Sequence, residues 1–315
     1  MIPGSATPFL LAKSDGVYKI ERSLRFNDND SAYLNRTPAS AGNRKTWTWS
    51  AWLKRSALAG STFVFGAGSG FMVGGAHTAF MFTSDDKLQA YDYTGSGYAY
   101  NIVTTRLFRD TAAWYHIVLA IDTTQSTSTD RVKLYINGEL QTALDTTTYP
   151  SQNYETYVNT ASLAHQIGHS NTDSFDGFLT EIQFIDGQAL APTDFGQFNA
   201  TTGVWDPKDT SGLTYGTNGF HLDFSDNSSS GALGINSATA NDYTPTVGAL
   251  TTTQATNFYS VASNPPNNLF DGSTSTIVYG GYNSTSNNSD LIWTPNGAYT
   301  ASSSLRVYAG YSSTI

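Results

Sequence analysis

Cysteine is missing altogether from these 315 residues. Neither a disulfide nor a thiolate metal site can therefore hold the fold. Charge is scarce too: only 13% of residues are Asp, Glu, Lys or Arg, and 25 acidic residues against 16 basic give a formal net charge of −9. An acidic chain is a poor partner for nucleic acid, which calls for a basic patch. No run of about 18 apolar residues occurs, so no membrane-spanning helix and no membrane insertion are expected. The opening MIPGSATPFLLAKSDG has no charged start and no long apolar core of the secretory kind, and folding in a cytoplasm is expected. Long helix-period segments and heptads are likewise lacking, which removes helical bundles and coiled coils.

What is plentiful is the material of strands and turns. Gly (28), Tyr (19) and Phe (17) stand beside abundant Thr, Ser and Asn. Aromatic and β-branched residues suit a pleated, half-buried surface, and Gly, Asn and Asp suit turns. An all-β sandwich with many loops is expected. Its clearest segment is Asp130 to Leu144, DRVKLYINGELQTAL. Val132, Leu134 and Ile136 alternate with Arg131, Lys133 and Tyr135, Asn137-Gly138 supplies the two positive-φ residues of a type I′ turn, and Leu140 and Thr142 resume the alternation. Thr46 to Arg55, TWTWSAWLKR, puts Trp47 and Trp49 on one face, where a core role outweighs a stacking platform for sugars. Trp114 to Asp122, WYHIVLAID, reads as a central strand covered on both sides, with His116 a hydrogen-bonded structural residue. Further strands are expected at Val17–Arg36, Phe63–Phe82, Leu88–Tyr100, Phe175–Leu190 and Gly219–Phe224, and a short helical turn near Thr193.

Chemistry-bearing motifs are thin. GAGSG at 66–70 lacks the GK[ST] ending of a phosphate loop, no HExxH or comparable histidine spacing occurs, and His165 and His169 are not read as metal ligands. Asn27-Asp28-Asn29-Asp30 reads as an Asx turn, though oxygen-bearing side chains this close leave calcium open. Glycoside hydrolysis needs paired carboxylates about 5–5.5 Å apart for a retaining mechanism. The nearest pairing, Glu181 with Asp186, lacks an ExDxxE pattern, and no GxSxG elbow appears. A non-enzymatic protein without a required cofactor is expected. The tyrosine-rich stretch YDYTGSGYAY is read as an exposed loop, with Tyr91, Asp92, Tyr93, Tyr98 and Tyr100 as candidate sugar-binding residues: rings stack on sugar C–H faces and the carboxylate accepts from hydroxyls.

In order, SLRFNDNDSAYLNR, TWTWSAWLKR, WYHIVLAID, VKLYINGELQ and FDGFLTEIQFIDGQAL resemble the concanavalin A-like lectin and laminin-G-like jelly-roll superfamily over about residues 18–225. The wording of the chain, notably YKIERSLRFNDNDSAYLNRTP and TGVWDPKDTSGLTYGTNGFHLDF, also resembles virion structural proteins of marine, cyanophage-like bacteriophages. These resemblances imply an arm at 1–17 that docks on the particle through Pro8, Phe9, Leu10 and Leu11, and a jelly-roll sandwich at 18–225. A Ser/Thr/Asn-rich linker follows at 226–254. From 255 to 315, NLFDG, DLIW and SLRVY resemble the opening strands of a galactose-binding-like, discoidin-type sandwich that is incomplete at Ile315. They further imply a tail-fibre or other appendage protein, alternatively a capsid decoration or head fibre, assembled in the host cytoplasm. Its partners would be other virion proteins (a tail adaptor or the capsid), host cell-surface polysaccharide and further copies of itself.

Overall fold

The computed structural model describes residues 18–58, 60–68, 75–171, 173–239 and 242–246, and the backbone of 258–259 and 279–280. The chain divides into two compact units, 1–246 and 247–315. In the second, Phe258–Tyr259 pairs antiparallel with Tyr279–Gly280. The rest of the expected discoidin-type unit, and the docking residues Pro8, Phe9, Leu10 and Leu11, lie outside the described residues.

The first unit is a two-sheet sandwich. Its strands are β1 (Leu24–Phe26), β2 (Tyr33–Arg36), β3 (Thr46–Arg55), β4 (Thr62–Gly68), β5 (His77–Phe82), β6 (Lys87–Tyr93), β7 (Tyr98–Leu107), β8 (Tyr115–Asp122) and β9 (Val132–Ile136). They continue with β10 (Glu139–Leu140), β11 (Leu144–Thr148), β12 (His165–Ile167), β13 (Gly177–Asp186), β14 (Gly196–Phe198), β15 (Trp205–Pro207), β16 (Phe220–Leu222) and β17 (Thr244–Thr246). One sheet runs β1-β13-β3-β8-β9-β10, with β16 also on β13; the other runs β11-β7-β6-β5-β4-β12-β2-β17. The all-β expectation holds. No helix among the described residues is long and apolar enough to cross a membrane.

The core lies between the sheets. Period-2 alternation sends Trp47, Trp49, Ala51 and Leu53 of β3 inward to meet Phe65, Phe80 and Phe82 of the other sheet. Trp49 stacks on Phe65 with ring centroids 5.8 Å apart, a favourable offset geometry. β8 is buried on both faces, as its unbroken apolar run requires. The outer layer over β8 comes from the β14–β15 hairpin: Trp205 Nε1 donates to His116 Nδ1 (3.0 Å), which leaves the His116 Nε2–H to donate to Ser50 Oγ (3.0 Å). Burial pushes the His116 pKa down to about 3. The turn at Asn137 (φ 49°) and Gly138 (φ 83°) has the expected hand, and the Trp205 ring lies against Gly138, leaving no room for a side chain. Leu140 departs from the alternation: β10 is two residues long and Leu140 stays exposed.

β13 changes neighbours along its length. Gly177–Leu179 pairs with β1 and Ile182–Phe184 pairs with β16. The register shifts against β3 between Thr180 and Gln183, and Glu181 sits there at φ 49°. A bulge of this kind re-aims a side chain. Glu181 turns to accept from Tyr18 Oη (2.9 Å) and to pair with His221 Nε2 (2.7 Å).

The stretch read as a linker, 226–254, is in part sandwich. Ala232 and Tyr243 are buried, Tyr243 meets Phe220 edge-on at 4.8 Å, and Thr244–Thr246 forms the outermost strand beside β2. The Ser- and Asn-rich wording hid two apolar anchors that needed cover.

Candidate functional site at the loop end of the sandwich

Antiparallel register brings one set of loops to a common end. β3 starts there at Thr46, β13 finishes there at Asp186, and β8 finishes at Asp122. Asp186 is the clasp: one oxygen accepts from Asn43 N (2.7 Å) and Asn159 Nδ2 (2.9 Å), the other from Asn218 N (3.0 Å). Three loops distant in sequence are thereby fixed to one strand end. Glu181 and Asp186, the carboxylates nearest to a hydrolytic pairing, are thus each committed to separate structural partners.

The stretch read as a tyrosine loop is a hairpin, β6 and β7 around a turn at Gly95, and alternation splits the five candidates between its faces. Asp92 and Tyr100 point into the sandwich and are buried, so they cannot meet a ligand at the surface; this corrects the sequence reading. Asp92 instead accepts from Thr78 Oγ1 (2.6 Å), Tyr154 Oη (2.8 Å) and Tyr157 N (3.2 Å), fastening the 149–160 segment over the sheet. Burial outweighs these donors and pushes its pKa up to about 6. Tyr91 faces the outer side but is also buried, its Oη 3.0 Å from His77 Nε2. Burial lowers the His77 pKa and raises that of Tyr91.

Tyr93 and Tyr98 remain at the surface. Tyr98 is 51% exposed and Tyr93 is partly buried, with ring centroids 5.5 Å apart in an edge-to-face pair. Tyr98 also meets Tyr91 edge-on at 5.4 Å, which props the exposed ring from beneath. The outer face thus presents an aromatic ledge, with Gln89 and Asn101 hydrogen-bonded to each other (2.8 Å) on the same face.

Sequence reasoning passed over a second feature at this end. A polar groove of about 670 Å³ opens where β2 finishes and β17 begins, lined by Asn35, Arg36, Ser40, Asn218, Asp242 and Thr244 among others. Its walls come from segments some 180–200 residues apart, and no local spacing announces it. Among the described residues no group of three or more His, Asp or Glu side chains converges as metal ligands would. Asn27 and Asp30 of the candidate calcium stretch bond to each other (2.6 Å) in a 3₁₀ turn.

Residues 27–194, more than half of the chain, match the family model described as the concanavalin A-like lectin/glucanases superfamily. The chain belongs to that superfamily. The match takes in β2 to β13 and stops before β14, β15, β16 and β17, so this superfamily member builds part of its groove from residues beyond the matched region. Similar solved structures include the heptameric SAP-like pentraxin of Limulus polyphemus (16% identity, 54% of this chain and 77% of that one, TM-score 0.39). They also include a Bacteroides ovatus protein provisionally assigned to carbohydrate binding (16%, 73% and 58%, 0.46). A third is the LG4-5 region of the mouse laminin alpha1 chain (9%, 65% and 48%, 0.38). At such scores these likenesses add nothing to the family match. No curated protein matches the chain.

Proposed function

We propose that this sandwich is a non-catalytic carbohydrate-binding module that reads surface glycan through Tyr93 and Tyr98. The observation that carries the reading is the Tyr98 ring: half in water, propped by two further tyrosines, and therefore held in place before any ligand arrives. An aromatic face stacks on sugar C–H groups, and a pre-positioned ring loses little entropy on binding. The superfamily membership supports the ligand class. Glu181 and Asp186, each tied to neighbours of its own, support the non-catalytic part.

The finer reading places the module on a bacteriophage particle, as a tail fibre or other appendage anchored by the 1–17 arm, or alternatively as a capsid decoration. It rests on the resemblance of the wording to marine phage virion proteins. In that setting the glycan belongs to the host cell surface.

A glycan array probed with the intact chain and with Tyr98→Ala tests the binding. Loss of about one kcal/mol or more of stacking should weaken binding at least about fivefold. Equal signals from both proteins would remove Tyr98 from the site, and release of reducing ends would overturn the non-catalytic assignment. Immunogold labelling of particles with antibody to residues 20–225 tests the rest: tail label supports an appendage, capsid label the decoration, and no label removes the virion reading.

A further inference from the structure

The outer face of the β1-β13-β3-β8 sheet has a covered half and an open half. The β14–β15 hairpin covers His116, and Trp52 lies against that histidine with ring centroids 4.9 Å apart. One pair further along the strands, towards Arg55, the register sets a row across the sheet. Arg25 faces Phe178, Phe178 faces Lys54, and Trp114 follows Lys54, because its neighbour Tyr115 faces Leu53. Leu24, Leu179, Leu53 and Tyr115 belong to the core, so alternation turns all four members of the row outward. The row spans three strand steps, about 14 Å.

Its rings meet water and are held in place. Trp114 is 37% exposed, and its ring lies 6.5 Å from that of Phe178. Their strands are two steps, about 10 Å, apart, so the two rings lean towards each other over Lys54. The two cations of the row differ. Arg25 lies 5.2 Å from the centre of the Phe178 ring and is already paired with Asp176 and with Ser56 Oγ (2.6 Å). Lys54 has neither an ion pair nor a side-chain hydrogen bond among the described residues. The backbone beneath is taken up by ladders on both sides of β13 and β3.

These properties select an occupant. A peptide laid across the row would bury its own N–H and C=O groups against a sheet face that has none to offer. Single-stranded nucleic acid needs cations along a run of phosphates, and the row offers one uncompensated ammonium. A neutral sugar ring would stack on Trp114 but take water from that ammonium and return nothing. A sugar ring with a carboxylate on its rim stacks in the same way and pairs the ammonium.

We infer that this row is a second binding site, taking a sugar chain with one carboxylate on the ring nearest Lys54. Trp114 supplies the stacking face, Lys54 the charge, and Phe178 the support for both. The sugar part of that ligand class rests on the reading of the sandwich as a carbohydrate-binding module; the place of the site and its anion do not.

The test titrates the intact chain with cellobiouronate and the hyaluronan disaccharide, and with their methyl esters, which keep the rings and lose the charge. Indole N–H signals are followed by NMR. At least one acid should bind and shift the Trp114 indole, and its ester should bind about fivefold more weakly. Lys54→Met, which keeps the stem and removes the charge, should erase that preference. Trp114→Ala should weaken acid and ester alike, by at least about fivefold, and Tyr98→Ala should change neither. The inference is overturned if neither acid binds, if the ester binds as well as the acid, if Lys54→Met keeps the preference, or if an acidic octapeptide or octathymidylate binds the row more tightly. Loss of acid binding in Tyr98→Ala with Trp114→Ala unaffected would sink the row and leave the ledge standing; the reverse pattern, with no glycan lost in Tyr98→Ala, would keep the row and remove the ledge.

Discussion

The two ends of the sandwich are closed by buried carboxylates held in opposite ways. At the end where β3 finishes, Arg55 is buried with its guanidinium 3.0 Å from Asp86, donating also to the Phe108 carbonyl and lying 4.6 Å from the centre of the Phe82 ring. Arg109 reaches the other Asp86 oxygen at 2.9 Å. At the loop end, Asp186 and Asp92 meet neutral donors only: backbone N–H groups, amides and hydroxyls. The ion-paired end ties strand to strand. The hydrogen-bonded end ties loops to strands, and the tyrosine ledge and the polar groove lie there. Charge neutralisation locks a closed end, whereas dispersed neutral donors position loops while leaving their outer faces available.

Breaking the first end should have the largest effect. Arg55→Met takes from the buried Asp86 its buried guanidinium partner, and about 3 kcal/mol of stability should be lost in chemical denaturation. A loss below about 1 kcal/mol would mean that the buried pair is not what locks this end. Asp186→Ala strands three donors at the loop end, and about 2 kcal/mol should go, accompanied by faster proteolysis at 37–45 and 215–219. Equal protease resistance would show that the loops hold without the clasp.

Acid sharpens the same contrast. Burial holds His116 and His165 neutral, with pKa values pushed from 6.5 down to about 3 and about 4. The unfolded chain binds those protons first, so stability falls as pH drops from 6.5 towards 4, by about 3 kcal/mol for each histidine. Asp92 works the other way: raised from 3.8 to about 6, it takes its proton earlier in the folded chain and adds about 2 kcal/mol over the same window. The native chain should therefore lose a few kcal/mol between pH 6.5 and 4. Asp92→Asn, lacking the opposing titration, should fall more steeply, by up to about 1.4 kcal/mol per pH unit. Parallel slopes would show that Asp92 does not titrate in this range.

Much of this architecture could be read from the chain. The Asn137-Gly138 turn, the inward Trp47 and Trp49 and the double burial of β8 follow from period and turn chemistry, because each depends on residues close in sequence. The tyrosine stretch was legible only in part. Reading KLQAYDY by alternation places Tyr91 and Tyr93 together and Asp92 opposite, but the register shift after Asp92 hides which side Tyr100 takes until the strands are paired. The groove, the Arg55–Asp86 pair and the Asp186 clasp join residues from 27 to more than 140 positions apart, and nothing local marks them. The sandwich's last strand was masked by composition, since Tyr243 is one aromatic ring in a stretch of serine and asparagine.

The neighbour change at Glu181 has a mechanical side. β1 holds β13 through three register pairs, and the residues before it are fastened by the Tyr18 contact of Glu181 and by the Thr180 hydroxyl on the Arg22 carbonyl. Tension drawn through residue 18 therefore falls first on this small clasp and then on a three-residue strand, before it reaches the ten-residue ladder of β13 and β3. The segment would yield as a fuse, letting out slack while the sheet behind it, with the ledge and the groove, keeps its shape.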